Sequence, residues 1–480
     1  MPRQKSKRPS TNPPRPRPPT QLPKPLHPTP ASPFTAKQLL PFFRSLLPQR
    51  HLWRAASLQE ETFYDGLFTP IVTLWYLIFQ RLHCDPTLQA AVVDAHAGGA
   101  DGLCHRLSKK LRSVATTAYS DARQRLPLAF LREALALQGG KMTGLHPQPQ
   151  WGELLVALLD GTTLRLRPYG DIARSFPPQR NQSRRPAYWC LMRVVVCFGL
   201  HTGAALSYAL AAMTVGEQAL ACRIILTTTR RCLYVGDRNF GVFRIAQAAR
   251  AVESHVLLRL TQVRARRMLG RALSLGEFLL DWSPTRHDQQ QEGCSSAPVQ
   301  GRLLVARVKR NGFRAQTLYL FTSLSAEYPA AQLVGLYGLR WQIELNLRYL
   351  KTQMRLVQLE SKSAAMAEKE WVAGLLAYNL IRAAMLGAAL QAGLAPLTLS
   401  FSAARRYLQH WLRDFGQGRT EALRAWEKLL VLIAQSTLPQ RSKPRPAEPR
   451  AQRHLRQPFP PLIGSRAHAR KQIKKYAGKN

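Results

Sequence analysis

Residues 153–164 read ELLVALLDGTTL, and the change of rhythm they introduce decides the class of fold. Six apolar residues, Leu154 to Leu159, run together and stop at Asp160-Gly161. A short unbroken apolar run closed by a turn signal reads as a strand buried on both faces. LMRVVVCFGL (191–200) and AALSYALAAM (204–213) have the same form. VGEQALACRIILTTT (215–229) then reads as helix, RCLYVGDRNF (231–240) as another central strand, FGVFRIAQAARAV (240–252) as helix and HVLLRLT (255–261) as strand. Strands followed by alternating helices and strands indicate an α/β sheet.

Outward from this centre the text changes on both sides. Residues 37–148 carry apolar residues at spacings of three and four, in FFRSLL (42–47), DGLFTPIVTLWYLIFQRLH (65–83) and AYSDARQRLPLAFLREALALQ (118–138), which predicts an all-helical domain. Its basic side chains, Arg81, Lys109, Lys110, Arg112, Arg123 and Arg125, suit either DNA reading or plain solvated faces. Within the α/β domain, 149–360, a basic and polar stretch at about 262–317 holds GRLLVARVKR beside RAQTLYLFTSL and reads as a β-rich insertion of antiparallel strands. Long helices are expected over 328–356 and 364–391, the second within a run of C-terminal helices at 361–436. Residues 1–36 and 437–480 are basic and Pro-rich, a composition that stays extended.

The charge selects the partner. The 69 Lys+Arg against 27 Asp+Glu leave +42, and the excess is concentrated at the ends: no acid precedes Glu60 and only Glu448 interrupts the last 44 residues. Such a chain favours polyanions, because each phosphate it neutralises releases condensed counterions. A membrane surface, a ribosomal site or an arginine-rich codon usage are the blander readings. The seven cysteines show no CxxC pair and read as reduced small hydrophobes, which suits a cytoplasm. The longest apolar stretch is taken as PIVTLWYLIF (70–79), too short for a bilayer, so no membrane partner is expected.

Acidic residues are scarce, so their placement is informative. Asp160 and Asp237 each stand at the end of an apolar strand, where α/β proteins place ligands. An ordinary turn or a helix cap explains either one alone. A third carboxylate lies in LYGLRWQIELNLRYLK (336–351). At about 100° per residue, Tyr337, Arg340, Glu344 and Lys351 fall within an arc of about 60°. The alternative for Glu344 is a surface ion pair with Arg340 or Arg348, worth a few tenths of a kcal/mol.

Tyr337, two residues, Arg340, three residues, Glu344, six residues, Lys351 resembles the signature of DDE transposases of bacterial insertion sequences, in particular the insertion-sequence-four family. LLDGTTL around Asp160 and VGDRNFG around Asp237 resemble that family's two aspartate motifs, with Asn239 where many relatives have glycine. HVLLRLT, YLFTSL and SKSAAMAEKEWVAGLLAYNLIR also look like family segments, so the resemblance covers roughly residues 40–400. It implies a ribonuclease-H-like catalytic domain in which Asp160, Asp237 and Glu344 hold two Mg²⁺ ions, with Mn²⁺ as a substitute. It further implies that Tyr337, Arg340, Lys351 and Arg238 contact DNA. Trp282, in the insertion, either stacks on a flipped base or belongs to the core. The partners implied are double-stranded DNA, as terminal inverted repeats and target, and a second copy of the chain in the DNA-bound complex. A non-catalytic DNA-binding descendant and a metal-dependent nuclease of the same fold are the two alternatives.

Overall fold

The computed structural model of the chain describes residues 66–439, except 84, 102–106, 180–187, 271, 292, 309–315 and 415–418, together with 465, 467, 468 and 471. The basic leader, FFRSLL and nearly all of the tail lie outside the described residues. The chain divides into two compact units, residues 1–306 with 317–439, and residues 307–316 with 440–480. The first carries nearly all of the described structure.

Among the described residues, the longer helices before the sheet are α1 (Pro70–Leu82), α2 (Leu88–His96), α3 (Thr117–Arg125) and α4 (Leu128–Gly144). α1 starts where Thr69 accepts the Val72 amide and Pro70 supplies a preset φ at the first position. Of the basic side chains in this region, Arg81 pairs with the buried Glu370 at 3.1 Å and Arg123 lies over the Tyr119 ring. Both serve the fold, whereas Lys109, Lys110, Arg112 and Arg125 are exposed.

The strands predicted from apolar runs are present as β1 (Leu155–Leu166), β2 (Cys190–Gly199), β3 (Ala205–Ala212), β4 (Cys232–Gly236) and β5 (His255–Arg259), with α5 (Glu217–Leu226) and α6 (Phe243–Ala251) between them. α7 (Gln262–Leu269) then leads to β6 (Gly276–Trp282), β7 (Val299–Val308) and β8 (Gln316–Thr322). The order across the sheet is β3-β2-β1-β4-β5-β8-β7-β6. β2 runs antiparallel to both β1 and β3, β4 and β5 run parallel to β1, and β8 returns antiparallel on β5. The insertion therefore extends the central sheet instead of standing beside it.

Alternation along β1 and β2 explains why they read as unbroken apolar runs. Ala157, Leu159, Val195 and Cys197 pack with Leu220, Ile224, Phe243 and Ala246 of α5 and α6. Val156, Leu158, Val194, Val196 and Phe198 point to the other face and are equally buried. There Phe198 meets Tyr378 edge-to-face at 6.0 Å.

After β8 come α8 (Ala330–Gly338), α9 (Gln342–Arg348), β9 (Gln358–Leu359), which pairs with the end of β1, α10 (Ala364–Ala392), α11 (Phe401–Asp414) and α12 (Arg419–Gln435). Two expectations are corrected here. β1 does not end at Asp160 but continues to Leu166, because β2 pairs with it as far as Leu166 opposite Cys190. PIVTLWYLIF is not the longest apolar stretch; α10, with 29 residues, is long and apolar enough to cross a membrane. All of its apolar window is buried inside the protein, so it is the core helix on which the second sheet face closes.

Candidate active site

The parallel pairing of β1 with β4 runs from Leu155 opposite Cys232 to Leu158 opposite Val235 and then stops, while β1 continues against β2. Two residues past that last pair stand Asp160, within β1, and Asp237, directly after β4. The two aspartates thus flank the point where the strands part, at the carboxyl end of β4. Each is oriented by a main-chain donor: the Gly161 amide to Asp160 Oδ1 and the Asn239 amide to Asp237 Oδ1, both at 2.8 Å. Burial pushes the Asp160 carboxyl up to about 6, and Asp237 and Glu217 push it the same way, against the Gly161 amide and Arg340.

The stretch 336–351 is not one regular helix. α8 ends at Gly338, a 3-10 turn spans Leu339–Trp341, α9 follows, and a π turn covers Tyr349–Gln353. The 60° arc assumed a uniform step, which the 3-10 turn and the π turn interrupt. Tyr337 is 6% exposed, set into the core with its hydroxyl pushed up by burial. Arg340 donates to Glu344 at 2.8 Å, with side chains 18% and 61% exposed. The four-residue ion pair weighed from the sequence is therefore formed. At such exposure it contributes a few tenths of a kcal/mol and is readily exchanged. Arg340 also feels Asp237, which makes it the link between Glu344 and the aspartates. Lys351 is half-buried in the π turn and Arg238 is exposed beside Asp237.

Trp282 is corrected outright as a base receptor. It is 4% exposed and packed edge-to-face between Phe243 (6.0 Å) and Phe321 (4.7 Å), with no face left for a base. Trp282→Ala is expected to cost about 3–5 kcal/mol of stability, read by urea unfolding, as for other buried tryptophans. A variant of wild-type stability would return Trp282 to a surface role.

Sequence reasoning missed Glu217, which reads as an ordinary acidic first-turn residue of α5. Its Oε2 accepts from Asn239 Nδ2 at 2.6 Å, and its carboxylate lies so close to Gly161 that a Cβ there would meet it at 2.4 Å. A side chain at position 161 would thus displace the Glu217 carboxylate, and Asn239 ties Glu217 to Asp237. In kind, these hard carboxylate oxygens suit a divalent cation, and Asp160 and Asp237 form a partly buried anionic pair. In place, no three acidic, His or Cys side chains converge at metal distance among the described residues, and the Glu344 carboxylate is held by Arg340.

Residues 151–380 match the family model of the transposase DDE domain. The edge that carries the two aspartates is therefore part of a transposase DDE domain. Among curated proteins, transposase InsG for insertion sequence element IS4 of Escherichia coli (strain K12) is 27% identical over 299 residues, 60% of this chain and 65% of that protein. The chain thus carries a transposase DDE domain over residues 151–380 and is similar to a transposase of an insertion sequence element. The match spans a little under two thirds of that relative's length. Among solved structures, a cryo-EM structure of the piggyBac transposase synaptic complex with hairpin DNA is similar at 11% identity and a TM-score of 0.36, over 83% of this chain and 85% of that one.

Proposed function

We propose that the chain is a DNA transposase that binds the terminal inverted repeats of its own element, cuts there and joins the ends to target DNA. The observation that carries this reading is the pairing of Asp160 with Asp237 where β1 and β4 part, with Arg340 linking them to Glu344. A ribonuclease-H-like domain is supported by the order β3-β2-β1-β4-β5, antiparallel in its first three strands and parallel thereafter.

Asp160, Asp237 and Glu344 would hold the divalent cations, Mg²⁺ or Mn²⁺. When bound, such ions activate the attacking oxygen and stabilise the leaving one in phosphodiester cleavage. The chain's own residues do the rest. The Gly161 and Asn239 amides fix the two carboxylates before substrate arrives. Arg340, on leaving Glu344, becomes a planar fork for a DNA phosphate. Arg238 and Lys351 add phosphate contacts, and Tyr337 supports Arg340 from the core side. The helices before residue 148 read the element's ends, and the tails add unspecific phosphate contacts that weaken steeply with salt. Two ends in one complex call for at least a dimer on DNA, working in the cytoplasm at the nucleoid.

The test is incubation of the purified chain with Mg²⁺ and DNA bearing the element's own ends or a scrambled sequence. Cuts confined to the ends, with joined products, are expected. Cutting at any sequence without joining would indicate a nuclease, and end binding without cutting a non-catalytic descendant.

A further inference from the structure

Arg382 lies in the middle of α10 and is 3% exposed, yet no carboxylate among the described residues pairs with it. Its Nη2 donates to Asn346 Oδ1 at 2.7 Å and its Nε to the Tyr378 hydroxyl at 2.9 Å, whose own proton goes to the Gly203 carbonyl at 2.8 Å. Around the guanidinium stand the rings of Tyr349, Tyr378 and Phe401, at 5.4, 5.3 and 5.2 Å. Tyr349 stacks on Phe401 at 4.6 Å. Gly203, at φ +69°, completes the enclosure; a Cβ there would meet the guanidinium carbon at 2.9 Å.

A buried cation without an anion is costly, and a methionine would fill the same space without that cost. Docking α10 on the sheet does not require it either, since Asn379 already bonds both the amide and the carbonyl of Ala205 at 2.8 Å. What a guanidinium adds is a directed grip on the segment that carries Glu344. Asn346 lies two residues beyond Glu344 and Tyr349 five. The Asn346 side-chain nitrogen has no hydrogen-bond partner, so that side chain serves through its oxygen, which Arg382 holds.

The geometry points to Arg382 as a positioning residue: through Asn346 it sets the rotation of α9, and so the direction in which the exposed Glu344 carboxylate faces Asp160 and Asp237. The inference rests on the role proposed above for Glu344. The π turn at Tyr349–Gln353 interrupts the regular α-helical continuation of α9, and the grip on Asn346 adds a side-chain constraint to that junction.

The variants N346L, N346D and R382K, beside E344Q, are measured for end-DNA cleavage and for the rise in unfolding temperature that Mn²⁺ produces. N346L removes the acceptor at similar volume. It is expected to slow cleavage about tenfold or more at a temperature where it is fully folded, as loss of an outer partner of a metal site does, and to shrink the Mn²⁺ rise to that of E344Q. R382K, which loses the planar fork, follows it, while N346D, which keeps the acceptor, retains both properties. If N346L and R382K lose unfolding temperature but keep the wild-type rate and the full Mn²⁺ rise, Arg382 is merely structural and the inference is overturned. If E344Q itself keeps both, it is the assignment of Glu344 that fails.

Discussion

Glu344→Gln is expected to lower the rate of end cleavage by on the order of a thousandfold or more, since it removes one of three carboxylates proposed to hold the cations. The same change should leave stability within a few tenths of a kcal/mol, because Glu344 is 61% exposed and its ion pair among the described residues is a four-residue surface pair with Arg340. That contrast gives the prediction its force. Glutamine keeps the size of the side chain and a hydrogen-bonding oxygen for Arg340, so a fold-mediated loss is not available as an explanation. Cleavage by this variant at the wild-type rate in Mg²⁺ would sink the proposed site.

Asp160→Asn should raise stability while also ending cleavage. Burial, helped by Asp237, holds the Asp160 carboxyl at about 6 against an ordinary 3.8, so ionising it costs the folded state more than the unfolded one. A raised carboxyl pKa contributes stability that is complete below the unfolded value and lost as pH rises through the folded one. The wild-type protein is therefore expected to lose on the order of 2–3 kcal/mol between about pH 4 and pH 6 from this group, with no further loss above. Asparagine cannot ionise and still accepts the Gly161 amide, so the variant should be more stable at pH 7.5 by about that amount and unchanged near pH 4. Urea unfolding in a chelator at several pH values measures this. A variant less stable than wild type at pH 7.5 would mean that Asp160 is not held as a desolvated carboxylate beside Asp237.

Much of the central architecture is legible in the sequence. The apolar runs at 154–159, 191–200 and 231–236 became strands because burial on both faces leaves a local, unambiguous trace in composition. The aspartates were legible for a related reason: acids are rare in this chain, and those that follow such runs stand at strand ends or where a neighbouring strand stops. Less legible was 336–351, whose residues favour helix throughout although the segment contains a 3-10 turn and a π turn. Local propensity has no term for the grip of Arg382 on Asn346 from another helix, 36 residues away. Trp282 was undecidable in principle, since a tryptophan suits a base-stacking surface and a core equally well until its neighbours, Phe243 and Phe321, are known.

By itself, then, the sequence determined the α/β class and the basic charge and singled out three carboxylates as candidates, each from residues close together in the chain. Only the tertiary structure decided that β1 runs on past Asp160, that Asp160 and Asp237 are neighbours, that Glu217 and Asn239 join them, and that Glu344 is held by Arg340. Those facts depend on strand pairing and packing between segments far apart in the chain, where burial and electrostatics are set by what arrives from elsewhere and not by the residue's own neighbours.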